Sequence, residues 1–425
     1  MLIILFGSLA FLLFATVPIA IAIGLAVLIG LWYSGTVPMV MVAQNCFTAV
    51  DSFPLMGLPF YMLAGTLMVN GGTARRLIDL AKAMVGWIVG GLGIITTLAC
   101  VFFGAISGSA PGTTAAIGSI MVPSMKEAGY KSGLAGAIAA CAGTIGIIIP
   151  PSIPFVIYGV ASGVSIADMF VAGIIPGILV SLGLMVTCYI TARRSNDNTP
   201  VEHFSFRRVL ATLYDAKWGL MVPLIILGGI YSGVFTPTES AVVACNYAIL
   251  VGVFIYRELT LKSLCRSLID ACLLTGTVLI INGISAAFGQ MLTIHRVPIM
   301  IAEFMVSLSN DPIVILLLIN AMLFVVGCFF ETLSAIIILT PIFLPVVKMV
   351  GVDPVHFGII MTCALGIGFV TPPLGTTLFL GAQMAETSLE DVLKHLWPFL
   401  LAMITTLMII TFYPPASLFL PRVLG

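Results

Sequence analysis

Gly143-Thr144-Ile145-Gly146-Ile147-Ile148-Ile149-Pro150-Pro151-Ser152 interrupts a long apolar run with two glycines and a proline pair, and 222 residues on Gly368-Phe369-Val370-Thr371-Pro372-Pro373-Leu374-Gly375 does so again. Proline lacks an N–H and clashes with the turn before it, so a regular helix is not expected to pass through either stretch. The same offset joins Pro123 to Pro345, Pro176 to Pro398, Gly129 to Gly351 and Gly159 to Gly381. In an apolar chain, a duplication whose shared residues are helix breakers points to a secondary transporter, in which paired discontinuous helices meet near the bilayer midplane.

Each copy carries a second break upstream of the first. Gly104-Ala105-Ile106-Ser107-Gly108-Ser109-Ala110-Pro111-Gly112-Thr113-Thr114 is one, and Gly327-Cys328-Phe329-Phe330-Glu331-Thr332-Leu333-Ser334-Ala335 is the other. Broken helices leave backbone carbonyls free, which lipid tolerates only where they line a protein-buried or wet site. Carbonyl and hydroxyl oxygens suit a hard, weakly held cation such as Na⁺, so two breaks in each of two copies predict two cation sites. A single Ser or Pro in a membrane helix more often back-bonds or kinks its own helix; four breaks in register favour binding. Glu331 is the only acid within a long apolar run, expensive there unless paired, solvated or protonated, and is read as functional. Its plainer reading is a hairpin tip reaching interfacial water. Arg296, beside His295 and before Pro298, either meets an anionic substrate or snorkels to the membrane surface.

Composition bounds the class. With 60% apolar and 8% charged residues and a mean hydropathy of +1.21, the chain is a polytopic all-α membrane protein in contact with lipid. Residues 1–50 hold no charge, so the first span lacks the basic region of a cleavable signal and is expected to stay as a helix bent at Pro18. Net charge is zero and there is no basic patch, so nucleic acid is not an expected partner. The nine cysteines lie mostly in apolar runs without a C-x-x-C pair, as core residues do. The four histidines (203, 295, 356, 395) are scattered near charged or loop-like segments without metal-ligand spacing. No cofactor is expected beyond Na⁺.

Charges cluster at Arg75–Lys82, Lys126–Lys131, Arg193–Lys217, Arg257–Asp270 and Glu386–His395. The expected division is scaffold helices over 1–75, a first repeat over 76–192, a linker over 193–217, scaffold and an arm helix over 218–272, and a second repeat over 273–425. The linker is basic, which places it in the cytoplasm. Counting spans outward puts the Lys126/Lys131 loop inside and its counterpart near Lys348 and Asp353 outside, so the repeats are expected to be inverted. The segments around Arg75–Lys82, Lys262–Asp270 and Glu390–His395 keep their charges to one helical face. They read either as solvated loop helices or as arm helices lying flat on the membrane.

Ser107-Gly108-Ser109, Gly118-Ser119, Ile-Pro150-Pro151-Ser152-Ile-Pro, Phe-Val-Ala-Gly173-Ile-Ile-Pro176-Gly177, Phe235-Thr-Pro237-Thr-Glu239-Ser and Thr371-Pro372-Pro373-Leu-Gly375 together resemble the large permease subunit of tripartite ATP-independent periplasmic (TRAP) transporters, over nearly the whole chain. The resemblance implies an elevator-type fold of the ion-transporter superfamily: a scaffold, and a moving domain of two inverted repeats with re-entrant hairpins and discontinuous helices. It implies Na⁺-coupled uptake of a small organic acid, of sialic acid or C4-dicarboxylate type, across the bacterial inner membrane. The implied partners are a soluble periplasmic binding protein, a small four-helix membrane subunit and membrane lipid. By the family's pattern one Na⁺ sits among Ser107, Gly108, Ser109, Gly143, Thr144, Pro150 and Ser152. The other sits among Gly327, Glu331, Thr332, Ser334, Thr371, Pro373, Gly375 and Thr376. Substrate lies between the tips, with Ser107, Ser109, Ser152, Arg296 and Glu331 as candidates. The family usually has Asp where Glu331 stands, and Ala-Pro-Gly follows Ser109 where a small or β-branched pair is more usual.

Rival classes lack their chemistry. Ser107 does not sit in the Gly-x-Ser-Gly of intramembrane serine proteases, no histidine lies mid-span as its base, and H-E-x-x-H is missing. No Gly-Lys dipeptide occurs, hence no Walker A loop for a pump, and no T-V-G-Y-G filter for a channel. The nearest rival is a stand-alone Na⁺ or H⁺ symporter of dicarboxylate or citrate from the same superfamily.

Overall fold

Proline, glycine and small polar caps set where most of the helices begin and end. The structure, a computed structural model, describes residues 2–15, 17–35, 38–194, 203–308, 311–372 and 375–424. All its regular elements are helical. α1 (Leu2–Phe14), α2 (Ile19–Ser34), α3 (Val40–Val50), α4 (Gly57–Asn70) and α5 (Thr73–Val85) precede the first copy. That copy comprises α6 (Gly91–Ser107), α7 (Ala110–Glu127), α8 (Ser132–Gly143), α9 (Ile153–Ser162) and α10 (Ile166–Arg194). α11 (Phe206–Tyr231), α12 (Pro237–Leu250), α13 (Leu261–Ile294) and α14 (Val297–Leu308) follow. The second copy comprises α15 (Pro312–Gly327), α16 (Thr332–Met349), α17 (Pro354–Gly368), α18 (Thr376–Ala385) and α19 (Leu389–Phe412), with α20 (Pro415–Leu424) closing the chain. Among the described residues seven helical segments are long and apolar enough to cross a membrane.

The duplication in sequence is a duplication in helix ends. α7 and α16, 18 residues each, start and stop 222 residues apart, and α8 and α17 start at the same offset. Pro123 and Pro345 lie inside α7 and α16, and Pro176 and Pro398 inside α10 and α19. The loops joining α7 to α8 and α16 to α17 turn on Gly129 (φ 92°) and Gly351 (φ 77°), a region closed to most side chains.

Contacts between the copies are reciprocal. A Cβ added to Gly136 on α8 would lie 2.8 Å from the carbonyl oxygen of Gly381 on α18. The residues at the repeat offset are Gly358 on α17 and Gly159 on α9, and a Cβ on Gly358 would collide with the ring of Tyr158, the neighbour of Gly159. α8 and α17 run through the centre, every residue being buried from Ala135 to Gly143 and from His356 to Gly368. Their small residues let backbones approach closely, which is how helices associate without a hydrophobic drive between them. α3 has no buried residue and α11 only five of 26, leaving apolar faces for lipid.

Tyr158 also donates a hydrogen bond of 2.7 Å to the carbonyl of Pro354 in the other copy. Tyr158→Phe is expected to destabilise the protein by about 0.5–1.5 kcal/mol, the net worth of one hydrogen bond, since the Pro354 carbonyl keeps its partner within α17. Thermal denaturation of the purified protein checks this, and an unchanged midpoint would show that the bond contributes nothing.

Several expectations need correction. Pro18 does not bend one helix: α1 stops at Phe14 and Pro18 caps α2, so two helices of 13 and 16 residues pack together, in keeping with proline's preference for a helix start. Of the three charged segments, only α5 is a separate helix. Lys262–Asp270 is the beginning of the 34-residue α13, and Glu390–His395 opens the 24-residue α19. No proline follows Cys272 within α13 and its glycines do not end it, so the division at 272/273 falls inside a continuous helix, and that at 75/76 falls inside α5. The linker is shorter than residues 193–217, since α10 reaches Arg194 and α11 starts at Phe206; 195–202 lie outside the described residues. His356 is not in a loop-like segment. It is 2% exposed, with Nδ1 2.6 Å from Ser417 Oγ and Nε2 3.3 Å from the Thr411 carbonyl oxygen.

Candidate functional site

The first tip is built by one glycine and two serines. Gly108 (φ 60°) ends α6, and a Cβ there would lie 2.8 Å from the Pro151 carbonyl oxygen, so both conformation and space demand glycine. Ser109 caps α7, its hydroxyl accepting from Gly112 N at 3.3 Å. Ser107 Oγ and Thr113 Oγ1 are 2.7 Å apart. The Gly108 carbonyl accepts from Ile153 N at 3.2 Å, tying the tip to the break.

At that break α8 tightens into a 3₁₀ turn over Thr144–Ile147, and the chain leaves helical geometry until α9. Ser152 Oγ donates to the Ile147 carbonyl at 2.6 Å and accepts from Phe155 N at 3.4 Å. Thr144 back-bonds to Cys141 at 2.7 Å. Gly146 lies closest to the tip: an added Cβ would collide with Thr113 Oγ1 and lie 2.6 Å from the Ser109 carbonyl oxygen. Gly143 faces Thr114 in the same way.

The second tip repeats the plan with one charged substitution. Gly327 ends α15 against Gly368 and Leu365, an added Cβ lying 3.2 Å from the Cα of each, much as Gly104 meets Gly146 at 2.9 Å. Glu331 caps α16 where Ser109 caps α7, accepting from Leu333 N at 2.9 Å and Ser334 N at 3.2 Å. An anionic cap is favoured by the positive end of the helix dipole. Thr332 is 1% exposed and its hydroxyl has no hydrogen-bond partner. Ser334 is buried, its hydroxyl beside the Glu331 carboxylate without a bond of ordinary geometry. At the second break the Phe369 carbonyl accepts from Thr377 Oγ1 at 2.8 Å and Leu378 N at 3.4 Å. Thr371 Oγ1 donates to the Ile367 carbonyl at 2.9 Å, and Gly375 N to the Thr371 carbonyl at 3.3 Å.

Both tips and both breaks open on one cavity of about 330 Å³. Ser107–Gly112 and Glu331–Leu333 line it with Ile147, Ile153, Pro154 and Phe369; the facing wall is Met62, Gly65, Thr66 and Val69 of α4 with Leu274, Thr277, Val278 and Ile281 of α13. None of the described lining residues is basic. Of the candidates, the structure brings Ser107, Gly108, Ser109, Glu331 and Thr332 to the cavity. Ser152 is buried behind it, Thr376 is exposed, and Pro373 lies outside the described residues. Arg296 does not line the cavity; it sits with φ 54° in the turn between α13 and α14. The reading missed Thr113, signalled by its i+4 spacing from Ser109, and Thr377, next to the chosen Thr376. It also missed the α4 and α13 wall, whose apolar sequence carries no signal.

Buried hydroxyls, carbonyls and one carboxylate, gathered at helix breaks inside a multi-pass helical body, define a membrane transporter. Residues 6–416 match the family described as "Tripartite ATP-independent periplasmic transporter, DctM component". The chain is 41% identical over 383 residues to the C4-dicarboxylate TRAP transporter large permease protein DctM of Pseudomonas aeruginosa, covering 90% of each. It is 45% identical over 416 residues to the isethionate TRAP transporter permease protein DctMQ of Oleidesulfovibrio alaskensis, covering 98% of this chain and 66% of that protein. It is 37% identical over 377 residues to the sialic acid TRAP transporter permease protein SiaT of Haemophilus influenzae, covering 88% of this chain and 61% of that one. The chain thus spans about two-thirds or less of the length of DctMQ and SiaT. It belongs to the DctM family and is a multi-pass protein of the bacterial inner membrane. Its fold is shared with the Alcanivorax borkumensis YdaH transporter, with a TM-score of 0.63 at 15% identity over 91% of this chain and 89% of that one.

Proposed function

We propose that the chain is the membrane pathway for Na⁺-coupled import of a small organic anion. The observation that carries this is the cavity shared by both tips and both breaks and closed by α4 and α13. Its tips offer hydroxyls, carbonyls and a carboxylate, the ligands a hard monovalent cation takes. With no basic side chain on the described wall, cations bound at the tips would supply the charge that attracts an anion. One Na⁺ lies by Ser107, Ser109 and the Gly143–Ser152 break, and the other by Glu331–Ser334 and the Phe369–Thr376 break. C4-dicarboxylate, sialic acid and isethionate, named for the relatives, are all small organic anions, and this chain's substrate is of that kind.

The two copies move as an elevator against a frame that includes α4 and α13, so that the cavity faces each side of the membrane in turn. Basic residues at Arg193, Arg194, Arg207 and Arg208 and at Arg257, Lys262 and Arg266 mark the cytoplasmic side and make the copies inverted. The family's description speaks of a tripartite, periplasmic system, which supports a soluble periplasmic binding protein and a small four-helix membrane subunit as partners.

The test is uptake of radiolabelled anion into proteoliposomes containing this chain and the small subunit, with the binding protein outside and a Na⁺ gradient inward. Accumulation is expected only with both Na⁺ and binding protein. Uptake indifferent to Na⁺ would end the coupling proposal, and uptake without binding protein would favour a stand-alone symporter. Ser107→Ala with Ser109→Ala is expected to shift half-maximal Na⁺ activation about tenfold upward, as loss of two hydroxyl ligands worth about 0.7 kcal/mol each would do; an unshifted activation curve would count against the first site.

A further inference from the structure

Where the first copy ends, two long helices bring arginines and exposed aromatic side chains together. The corner between α5 and α6 joins the end of α10 to the start of α11. An added Cβ on Gly90 would lie 2.8 Å from Ala192 Cβ on α10, and the Trp87 ring meets Phe204 edge-on with centroids 6.1 Å apart. From there α5 runs back along the first half of α11, since a Cβ on Gly219 would lie 2.6 Å from Thr73 Cγ2. α10 has 29 residues and α11 has 26. Their lengths, about 43 and 39 Å, match a bilayer with its headgroups rather than the ~30 Å hydrocarbon core alone. The corner therefore lies in the headgroup layer.

Four arginines stand there, all exposed: Arg193 and Arg194 on α10, Arg207 and Arg208 on α11. Arg193 Cζ is 5.7 Å from the Tyr189 ring. Residues 186–194 and 203–214 contain no acid; Asp79 and Asp215 of the adjoining elements lie further toward the Thr73–Gly219 end. Arg207 and Arg208 occupy the first turn of α11, where the helix dipole disfavours a cation, so an anion beside them relieves that cost. Next to the arginines, Trp87, Phe204, Phe206 and Leu210 are 49%, 56%, 66% and 51% exposed. Apolar surface of this extent is favoured against acyl chains over water.

We propose that this corner is a binding site for an anionic phospholipid, with its phosphate held by Arg193, Arg207 and Arg208 and its acyl chains lying along Trp87, Phe204, Phe206 and Leu210. Guanidinium groups match phosphate oxygens in planar, paired hydrogen bonds. Aromatic rings sit at headgroup level, and basic residues beside a membrane surface draw anionic lipid. A free phosphate would leave the aromatic half of the site uncovered, whereas a lipid covers both halves. Seated here, the lipid ties the last helix of the first copy to the start of α11. The inference depends on neither the coupling ion nor the transported anion.

The test is native mass spectrometry of the purified full-length chain released from nanodiscs of equal parts dioleoyl-phosphatidylglycerol and dioleoyl-phosphatidylcholine. The wild type is expected to retain phosphatidylglycerol in preference to phosphatidylcholine. Arg207→Gln should lower that preference about fivefold, the worth of one arginine at an anionic surface. Arg193→Gln, Arg207→Gln and Arg208→Gln together should abolish it, while Lys262→Gln with Arg266→Gln, two exposed basic residues of α13, should leave it unchanged. Retention without preference by the wild type, or a preference that survives the triple substitution, would overturn the proposal. An equal loss in the Lys262 and Arg266 variant would overturn it too, because overall charge and not a site would then be responsible. So would displacement of the lipid by glycerol 3-phosphate, which marks a free-phosphate site, or by the small membrane subunit, which marks a protein interface. Should the triple variant fail to fold, Arg207→Gln decides, and an unchanged preference in that variant contradicts the site.

Discussion

Glu331→Gln is expected to lower Na⁺-driven uptake by about a hundredfold while leaving the protein folded. The amide keeps an oxygen that accepts from Leu333 N and Ser334 N, the two bonds by which Glu331 caps α16, so the helix start survives. What the change removes is the one acidic side chain among the described residues of the cavity wall. A contact between a charge and its ligand is worth about 1.5–3 kcal/mol, and the upper end of that range gives the hundredfold. Uptake by the reconstituted variant, with gel filtration and circular dichroism as controls for folding, checks the expectation. Wild-type uptake would show that Glu331 is only a helix cap.

Gly368→Ala is expected to act on the fold instead. The added methyl would collide with the Gly327 carbonyl carbon and lie 2.5 Å from Gly327 Cα. Both sides of that contact are backbone, so no side-chain rotation relieves it, and a loss of more than about 3 kcal/mol is expected. Gly366→Ala, two residues earlier, is the control. There the methyl would lie 3.1 Å from Ile147 Cδ1, the end of a flexible side chain, and the expected change is within about 1 kcal/mol. Expression yield and unfolding midpoint separate the two variants, and a Gly368→Ala protein with the wild-type midpoint would contradict the close approach of tip and break.

What was legible in the sequence was whatever acts locally. Clustered prolines and glycines act without help from distant residues, so Pro150–Pro151, Pro372 and the tips at Ser107–Ser109 and Glu331 fall where helices stop, whereas the lone Pro123, Pro176, Pro345 and Pro398 lie inside helices. Continuity was harder to read. The charges of Lys262–Asp270 look like a separate surface helix, yet nothing after Cys272 ends it, and a polar first half joined to an apolar second half is one 34-residue helix. His356 was misjudged for a related reason, because a residue's neighbours in sequence do not say what packs on it. His356, four residues past Gly351-Val352, is enclosed by α17, α19 and α20. The facing wall of the cavity was invisible. Met62, Gly65, Val69, Leu274, Val278 and Ile281 are indistinguishable in sequence from residues that face lipid.

Glu331 has a structural task and a proposed one. Its isolation in apolar sequence suggested function, and the structure gives it a structural task as N-cap of α16. Ser109 performs that task in the other copy without a charge, so capping alone does not require a carboxylate. The charge is therefore the part left for transport to explain, and Glu331→Gln separates the charge from the cap.

An anion site between the two tips would be seen most directly in an electron cryo-microscopy map of the chain with its small subunit in saturating Na⁺ and transported anion. Ligand density is expected within the space bounded by Ser107–Gly112 and Glu331–Leu333 and facing α4 and α13. Density for the anion confined to another place, such as the cleft of about 500 Å³ between Ser52–Pro54, Val164–Ala167 and Thr236–Thr238, with nothing between the tips, would contradict it.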